Sequence, residues 1–139
     1  MKRFKKVVVL FLAVSVSLVS CEGDDASTAA LEGKWQFSKE GTIVAGQEVL
    51  EDYMHTEGCT KDFLEFKSGG IFIDHYFEMP EAMCTEYLDT GTWTRNGNQL
   101  TISGEEGSQI VTIVELTNTT FKIKVDDGDE MNLVVLTRI

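Results

Sequence analysis

The chain has 139 residues, with 12 basic and 23 acidic side chains and a formal net charge of -11 at pH 7. So acidic a surface repels phosphate backbones and argues against a nucleic-acid partner, while 42% hydrophobic residues, eight of them Phe, argue against a disordered chain. The length suits one domain and leaves no room for two.

The first six residues, Met-Lys-Arg-Phe-Lys-Lys, form a positive segment, and Val7 to Val19 follow as an apolar run. That run has the length of a signal peptide and is short for a permanent membrane span. Leu18-Val19-Ser20-Cys21 comes directly after it. These residues resemble a bacterial lipobox, which implies cleavage before Cys21, a thioether-linked lipid on its sulfur and acylation of the new amine. Each buried acyl CH₂ adds about 0.8 kcal/mol, and stable anchoring needs at least two chains, a requirement that a triacylated cysteine meets. The plainer alternative is a secretory signal with a chance cysteine. The expected division is therefore a signal peptide at 1–20, a lipidated Cys21 with an acidic tether to 30, and a domain at 31–139. The expected location is the bacterial envelope, as an outer-membrane lipoprotein that could face the surface. Glu22-Gly23-Asp24-Asp25 resembles the export signals of surface lipoproteins in Bacteroidota, and serves equally well as a solvated tether.

Beyond Leu31, short alternating segments are separated by turn residues about every ten positions, the pattern of an all-β sandwich or barrel. Gly33–Lys39 is the first candidate strand. Thr42–His55 reads as a long hairpin or lid, with Ala45-Gly46 as a turn, although Val49, Leu50, Tyr53 and Met54 would also share a helical face. Asp62–Lys67 and Ile71–Met79 flank Ser68-Gly69-Gly70. Thr90–Arg95 and Gln99–Ser103 flank Asn96-Gly97, the strongest short-range hairpin signal. Gly104–Ser108 is a looser turn, Ile110–Glu115 and Thr120–Val125 meet around Thr117-Asn118-Thr119, and Asp126-Asp127-Gly128-Asp129 leads into Met131–Arg138. Connections this short require antiparallel neighbours. The expectation is a small up-and-down antiparallel barrel of about eight strands, a number that closes around side chains or one small ligand.

If Cys21 takes a lipid, Cys59 and Cys84 remain as an even pair, and the oxidising envelope favours a disulfide. A metal site would need further close ligands. His55 stands four before Cys59 and His75 nine before Cys84, which is no recognised zinc signature. The run Asp126–Glu130 could attract Ca²⁺ but lacks a complete calcium loop and suits a solvated turn. No metal and no cofactor is expected. Nor is there a Gly-x-Ser-x-Gly elbow or other nucleophilic machinery, so no enzyme is expected. His75 beside Asp74 fits a surface or satisfied histidine better than a general base.

Leu31-Glu32-Gly33-Lys34-Trp35 resembles the opening of lipocalin-like proteins, with Gly-x-Trp at the start of the first strand. The resemblance extends through Asp62–Phe66 with Ser68–Phe72, Gly91-Thr92-Trp93 with Asn96–Ile102, and Leu116–Phe121, and so covers nearly all of 31–139. It implies a calycin-type barrel and places Arg138 across Trp35 at the closed end, a structural cation–π pair rather than a ligand contact. The Thr-Asp-Tyr motif of larger lipocalins is absent, as is the Arg-x-Tyr pair of intracellular fatty-acid binders. The fold carries over and the ligand chemistry does not. Phe66, Phe72, Trp93, Leu100, Ile102, Phe121 and Ile123 should face inward, where they could fill the interior as core. If a cavity survives, Phe66, Phe72, Tyr76 and Trp93 are the candidate lining. Ile71–Phe77 is apolar on both faces apart from Asp74 and His75, which leaves its orientation open. The expected function is an envelope-anchored lipoprotein that binds or carries a small apolar molecule. The alternative is a filled barrel acting as a protein–protein interaction module, and cavity volume separates the two.

Overall fold

The structure, a computed structural model, describes residues 30–126, 128 and 130–139. The expected signal peptide, the expected lipidation at Cys21 and the expected tether up to residue 29 lie outside the described residues.

Among the described residues, nine strands follow in chain order: β1 (Gly33–Val44), β2 (Gln47–Asp52), β3 (Phe63–Lys67), β4 (Ile71–Glu78), β5 (Thr85–Asn96), β6 (Gln99–Gly104), β7 (Gly107–Leu116), β8 (Thr120–Asp126) and β9 (Met131–Arg138). A 3-10 turn at Pro80–Ala82 joins β4 to β5. Every neighbouring pair is antiparallel, and β1 pairs with β9 to close an eight-stranded barrel to which β2 adds one strand. The eight-strand expectation thus gains one element.

The extra strand comes from Thr42–His55, where the hairpin reading prevails over the helical one. β1 continues past Lys39 to Val44, and Ala45-Gly46, with φ of 50° and 77°, turns it into β2. Two successive positive-φ residues make the tight hairpin turn whose twist matches its strands. β1 therefore changes partner along its length. Gly33–Gln36 pairs with β3, Lys39–Val44 pairs with β2, and both halves run beside β9. A bulge at Ser38 separates them. It shifts the inner face from Trp35 and Phe37 to Glu40 and Thr42, because an extra residue reverses the alternation.

Three turns, around Gly69, Gly97 and Asn118, lie at the same end as the start of β1 and the finish of β9. This is the closed end. Its half of the barrel is solid. Trp35, Phe66, Leu100, Phe121 and Leu136 are each 1% exposed or less, packed with Leu64, Val111, Ile113, Leu116 and Ile123. The Phe66 ring meets Phe121 edge-on at 5.9 Å and Trp35 meets Phe121 at 5.4 Å, arrangements that aromatic quadrupoles favour. The opposite end carries the β1–β2, β4–β5, β6–β7 and β8–β9 connections and the long segment 53–62.

That segment crosses the place β3 would have occupied beside the far half of β4. Cys59 and Cys84 form a disulfide with a Cα–Cα separation of 5.5 Å, joining the segment to the start of β5. Within the last acidic turn, Asp126 Oδ1 accepts from the Gly128 amide at 3.0 Å. Asp127 and Asp129, which the Ca²⁺ alternative would also need, lie outside the described residues.

Candidate functional site

β5 is twelve residues long but pairs with β6 only from Thr92 to Asn96. Its first half, Thr85–Gly91, pairs with β4 alone, while β6 and β7 run on together to Gly104 and Gly107. The two hairpins therefore part, and the point of parting is Gly91. A side chain there would collide with the Ser103 carbonyl of β6, so the close crossing requires glycine.

Between the diverging arms lies a cleft of about 460 Å³, lined by Phe72, Leu88, Asp89, Thr90, Ile102 and the β6–β7 turn Gly104–Gln109. Phe72 and Ile102 form its apolar side and pack against the core beneath. Asp89, Glu105 and Glu106 give it three carboxylates, and no Lys, Arg or His is in its lining.

The four candidate lining residues separate. Phe72 lines the cleft. Phe66 lies beneath it, 1% exposed, with its ring 5.4 Å from Phe72 and 5.8 Å edge-on from Trp93. Trp93 Nε1 donates to the Lys67 carbonyl at 3.1 Å, which directs the indole toward the β3–β4 turn. Phe66, Phe72 and Trp93 thus form one aromatic cluster whose upper surface is Phe72. Tyr76 stands apart, stacked on Tyr87 at 5.4 Å directly across β4–β5.

Residues Phe72, Asp74 and Tyr76 share one face of β4, two apart, which settles the orientation that the sequence left open. Asp74 is directly opposite Asp89, the cleft residue. Its Oδ1 is buried and has no hydrogen-bond partner. Burial first, then the charges of Asp89 and Asp62, push its pKa up to about 6, against a smaller lowering by His75. On the outer face of β4, His75 stacks on Phe63 at 4.1 Å, with Nδ1 2.7 Å from Glu86 and Nε2 3.3 Å from Glu65. It is a satisfied outer-face histidine.

Segment 53–62 is fixed by groups that sequence reasoning missed. Asp62 is 7% exposed, and its Oδ1 accepts from the Phe77 amide at 2.9 Å and its Oδ2 from the Tyr53 hydroxyl at 3.3 Å. His55 Nδ1 accepts from the Asp62 amide at 3.1 Å, so Nε2 carries the proton and donates to the Phe37 carbonyl at 2.9 Å. The Tyr53 ring stacks on Phe37 at 4.7 Å. Burial, followed by Asp62, pushes the Tyr53 hydroxyl up to about 12.

At the closed end the Arg138 guanidinium lies 4.1 Å from the Trp35 ring centre. Gly33 makes room for it, since a side chain there would meet Nη1 and its φ of 133° suits glycine.

A sequence profile described as the lipocalin-like domain matches residues 31–123. A lipocalin-like protein from Bacteroides uniformis shares the fold with a TM-score of 0.59 at 14% identity, over 78% of this chain and 98% of that one. A protein from Bacteroides eggerthii aligns with a TM-score of 0.55, also at 14% identity, over 79% of this chain and 100% of its own. None of the curated proteins matches the chain.

Proposed function

The chain belongs to the lipocalin-like domain family, and from that premise we propose that it is a lipid-anchored envelope protein that binds or carries one small molecule with an apolar body. The observation that carries the reading is the cleft of about 460 Å³ over Phe72 and Ile102. Ligand sites commonly measure roughly 300–1,000 Å³, and eight-stranded barrels of this type hold single small ligands. The closed half is full, so binding is confined to the open end, with Phe72 and Ile102 as floor and Leu88 at the rim. Phe66 and Trp93 act on the ligand only through Phe72, as the packing behind it.

The interaction-module alternative needs a filled barrel. Packing of that kind is found around Trp35, Phe66 and Phe121 but not above Phe72, which favours the ligand reading.

Two measurements test the proposal. Native mass spectrometry of the protein from its own host should show a retained small molecule, lost when Ile102→Trp fills the cleft. Absence of any retained species, together with no binding of an apolar fluorescent probe, would overturn the ligand reading. For the anchor, Cys21→Ser should move the protein from the membrane fraction to the soluble one, and unchanged membrane association would overturn it.

A further inference from the structure

We infer that the closed end of the barrel is a docking face for an anionic phospholipid surface, and that the acidic open end is held away from it. The inference rests on the proposed lipid anchor and adds which side of the domain meets the membrane. Charge is divided between the two ends. Segments 43–60, 77–89, 104–109 and 126–132, which build the open end, each carry Asp or Glu and no Lys or Arg. The first cation below them is Lys61, where segment 53–62 returns toward β3. Of their acids, Glu48 and Asp52 are paired with Lys122 and Lys39 from the wall. At the closed end Lys34, Lys67, Arg95 and Arg138 are each the last or next-to-last residue of a strand. Two acidic side chains oppose them there, Glu32 just ahead of β1 and Glu115 in β7.

Lys67 is half exposed and reaches Glu65 at 3.8 Å, while Arg95 Nε donates to the Gly97 carbonyl of the β5–β6 turn at 2.8 Å. Lys34 is exposed and lies over the Phe63 ring at 5.3 Å. Arg138 donates to neutral backbone carbonyls, with no acidic side chain among those partners. Ile71, directly opposite Lys67 in the β3–β4 pairing, leaves 47% of its surface bare. A basic group beside an uncovered aliphatic one suits the boundary between headgroups and acyl chains.

The chain also enters the domain at this end, where Arg138 Nη2 holds the Ala30 carbonyl at 2.6 Å. Cys21 stands nine residues ahead of Ala30, and a chain of that length reaches at most about 30–35 Å. So short a tether gives the closed end a high effective concentration beside the bilayer, and weak contacts suffice to seat it. Salt screens charge over about 8–10 Å, so each end responds only when it comes close. A tilt that lowers the open end brings its carboxylates against anionic headgroups and is repelled. The closed end approaches with its cations foremost and is attracted.

The test uses the two tryptophans, Trp35 beside Arg138 and Trp93 beside Lys67, whose emission reports on the closed end. The full chain, purified from membranes, is placed in nanodiscs of phosphatidylcholine alone or with added phosphatidylglycerol, each doped with a lipid bearing a nitroxide on its headgroup. Tryptophan quenching should be about twofold stronger in the anionic discs, and added salt should remove the difference. Lys34→Glu together with Lys67→Glu should bring quenching in anionic discs down to the level of the neutral ones. Lys67→Gln supplies a milder comparison if the double variant fails to fold. Val49→Trp, on the exposed strand β2 of the open end, should add emission that the nitroxide lipid leaves largely unquenched. Equal quenching in the two kinds of disc, equal quenching at the two ends, or no response to the lysine variants overturns the docking face and leaves the anchor intact. A chain that does not enter the discs overturns the anchor and the docking face together.

Discussion

Trp35 and Arg138 are directly opposite in the β1–β9 pairing, and the arginine reaches past the tryptophan to three backbone carbonyls. Its Nε donates to Asn118 at 2.9 Å, Nη1 to Glu32 at 2.8 Å and Nη2 to Ala30 at 2.6 Å. Trp35 Nε1 in turn donates to the Leu31 carbonyl at 2.7 Å. One planar, five-donor group thus fastens the segment before β1 and the β7–β8 turn over the end of the core.

Arg138→Ala should destabilise the domain by about 2–3 kcal/mol, the sum expected from a cation–π contact and charge-assisted hydrogen bonds at a partly exposed site. Arg138→Lys should recover less than half, because an ammonium cannot span three carbonyls. Urea unfolding monitored by tryptophan fluorescence measures both. A loss under about 0.5 kcal/mol for Arg138→Ala, the size of an ordinary surface substitution, would show the pair to be incidental.

Replacing Cys59 and Cys84 together by serine should cost about 3–4 kcal/mol in the chain-entropy account, given their separation of 25 residues. The loss should be felt first in segment 53–62 and the start of β5, read as faster amide exchange there than in β8 and β9. Uniform acceleration across the barrel would contradict that localisation.

Asp62→Ala strips the Phe77 amide and the Tyr53 hydroxyl of their acceptor. With both groups partly buried, the expected loss is about 2–3 kcal/mol. Because the tyrosine hydroxyl is held high chiefly by burial and then by Asp62, its titration should begin at lower pH in the variant. Ultraviolet titration of tyrosinate provides the check.

Asp74 gives a pH dependence whose sign follows from linkage. Its folded pKa, about 6, stands above the ordinary aspartate value of 3.8, so between those values the folded state binds more protons than the unfolded one. Its contribution to stability therefore falls as pH rises from about 4 to about 6, and the penalty is complete above that. Burial sets it first, then the charges of Asp89 on β5 and Asp62 on segment 53–62, against a lowering by its neighbour His75, and Tyr53 and Tyr76 are close enough to feel its charge. Asp74→Asn should melt higher than the parent at pH 7–8, and the gain should vanish near pH 4. A gain independent of pH would point to packing rather than charge.

Much of the fold was legible because its signals are local. Asn96-Gly97 and Ser68-Gly69-Gly70 turn where their backbone freedom says they should, and the alternation of Leu64 with Phe66 and of Phe121 with Ile123 marks the core face. Cys59 and Cys84 are paired. The closing of the barrel was expected from the count of about eight strands and supported by the resemblance, while no local pattern tells β1 that its distant edge meets β9. The cleft was less legible. It depends on β5 outrunning β6, a mismatch of lengths visible only once registers are known. Asp74 read as a defect in an apolar strand, whereas its register places it against Asp89. The Ser38 bulge, which turns Glu40 inward, has no clear mark in the residues. The latch of His55 and Asp62 spans seven positions without regular structure, and no periodicity could have found it.

Arg138 holds Ala30 to the solid end of the barrel, while Glu105 and Glu106 rim the cleft at the other. Whatever pulls on the chain ahead of Ala30 therefore pulls on the stopper and not on the mouth. A membrane attachment through that segment would join the domain at its plugged base, by a leash that leaves the vestibule unobstructed.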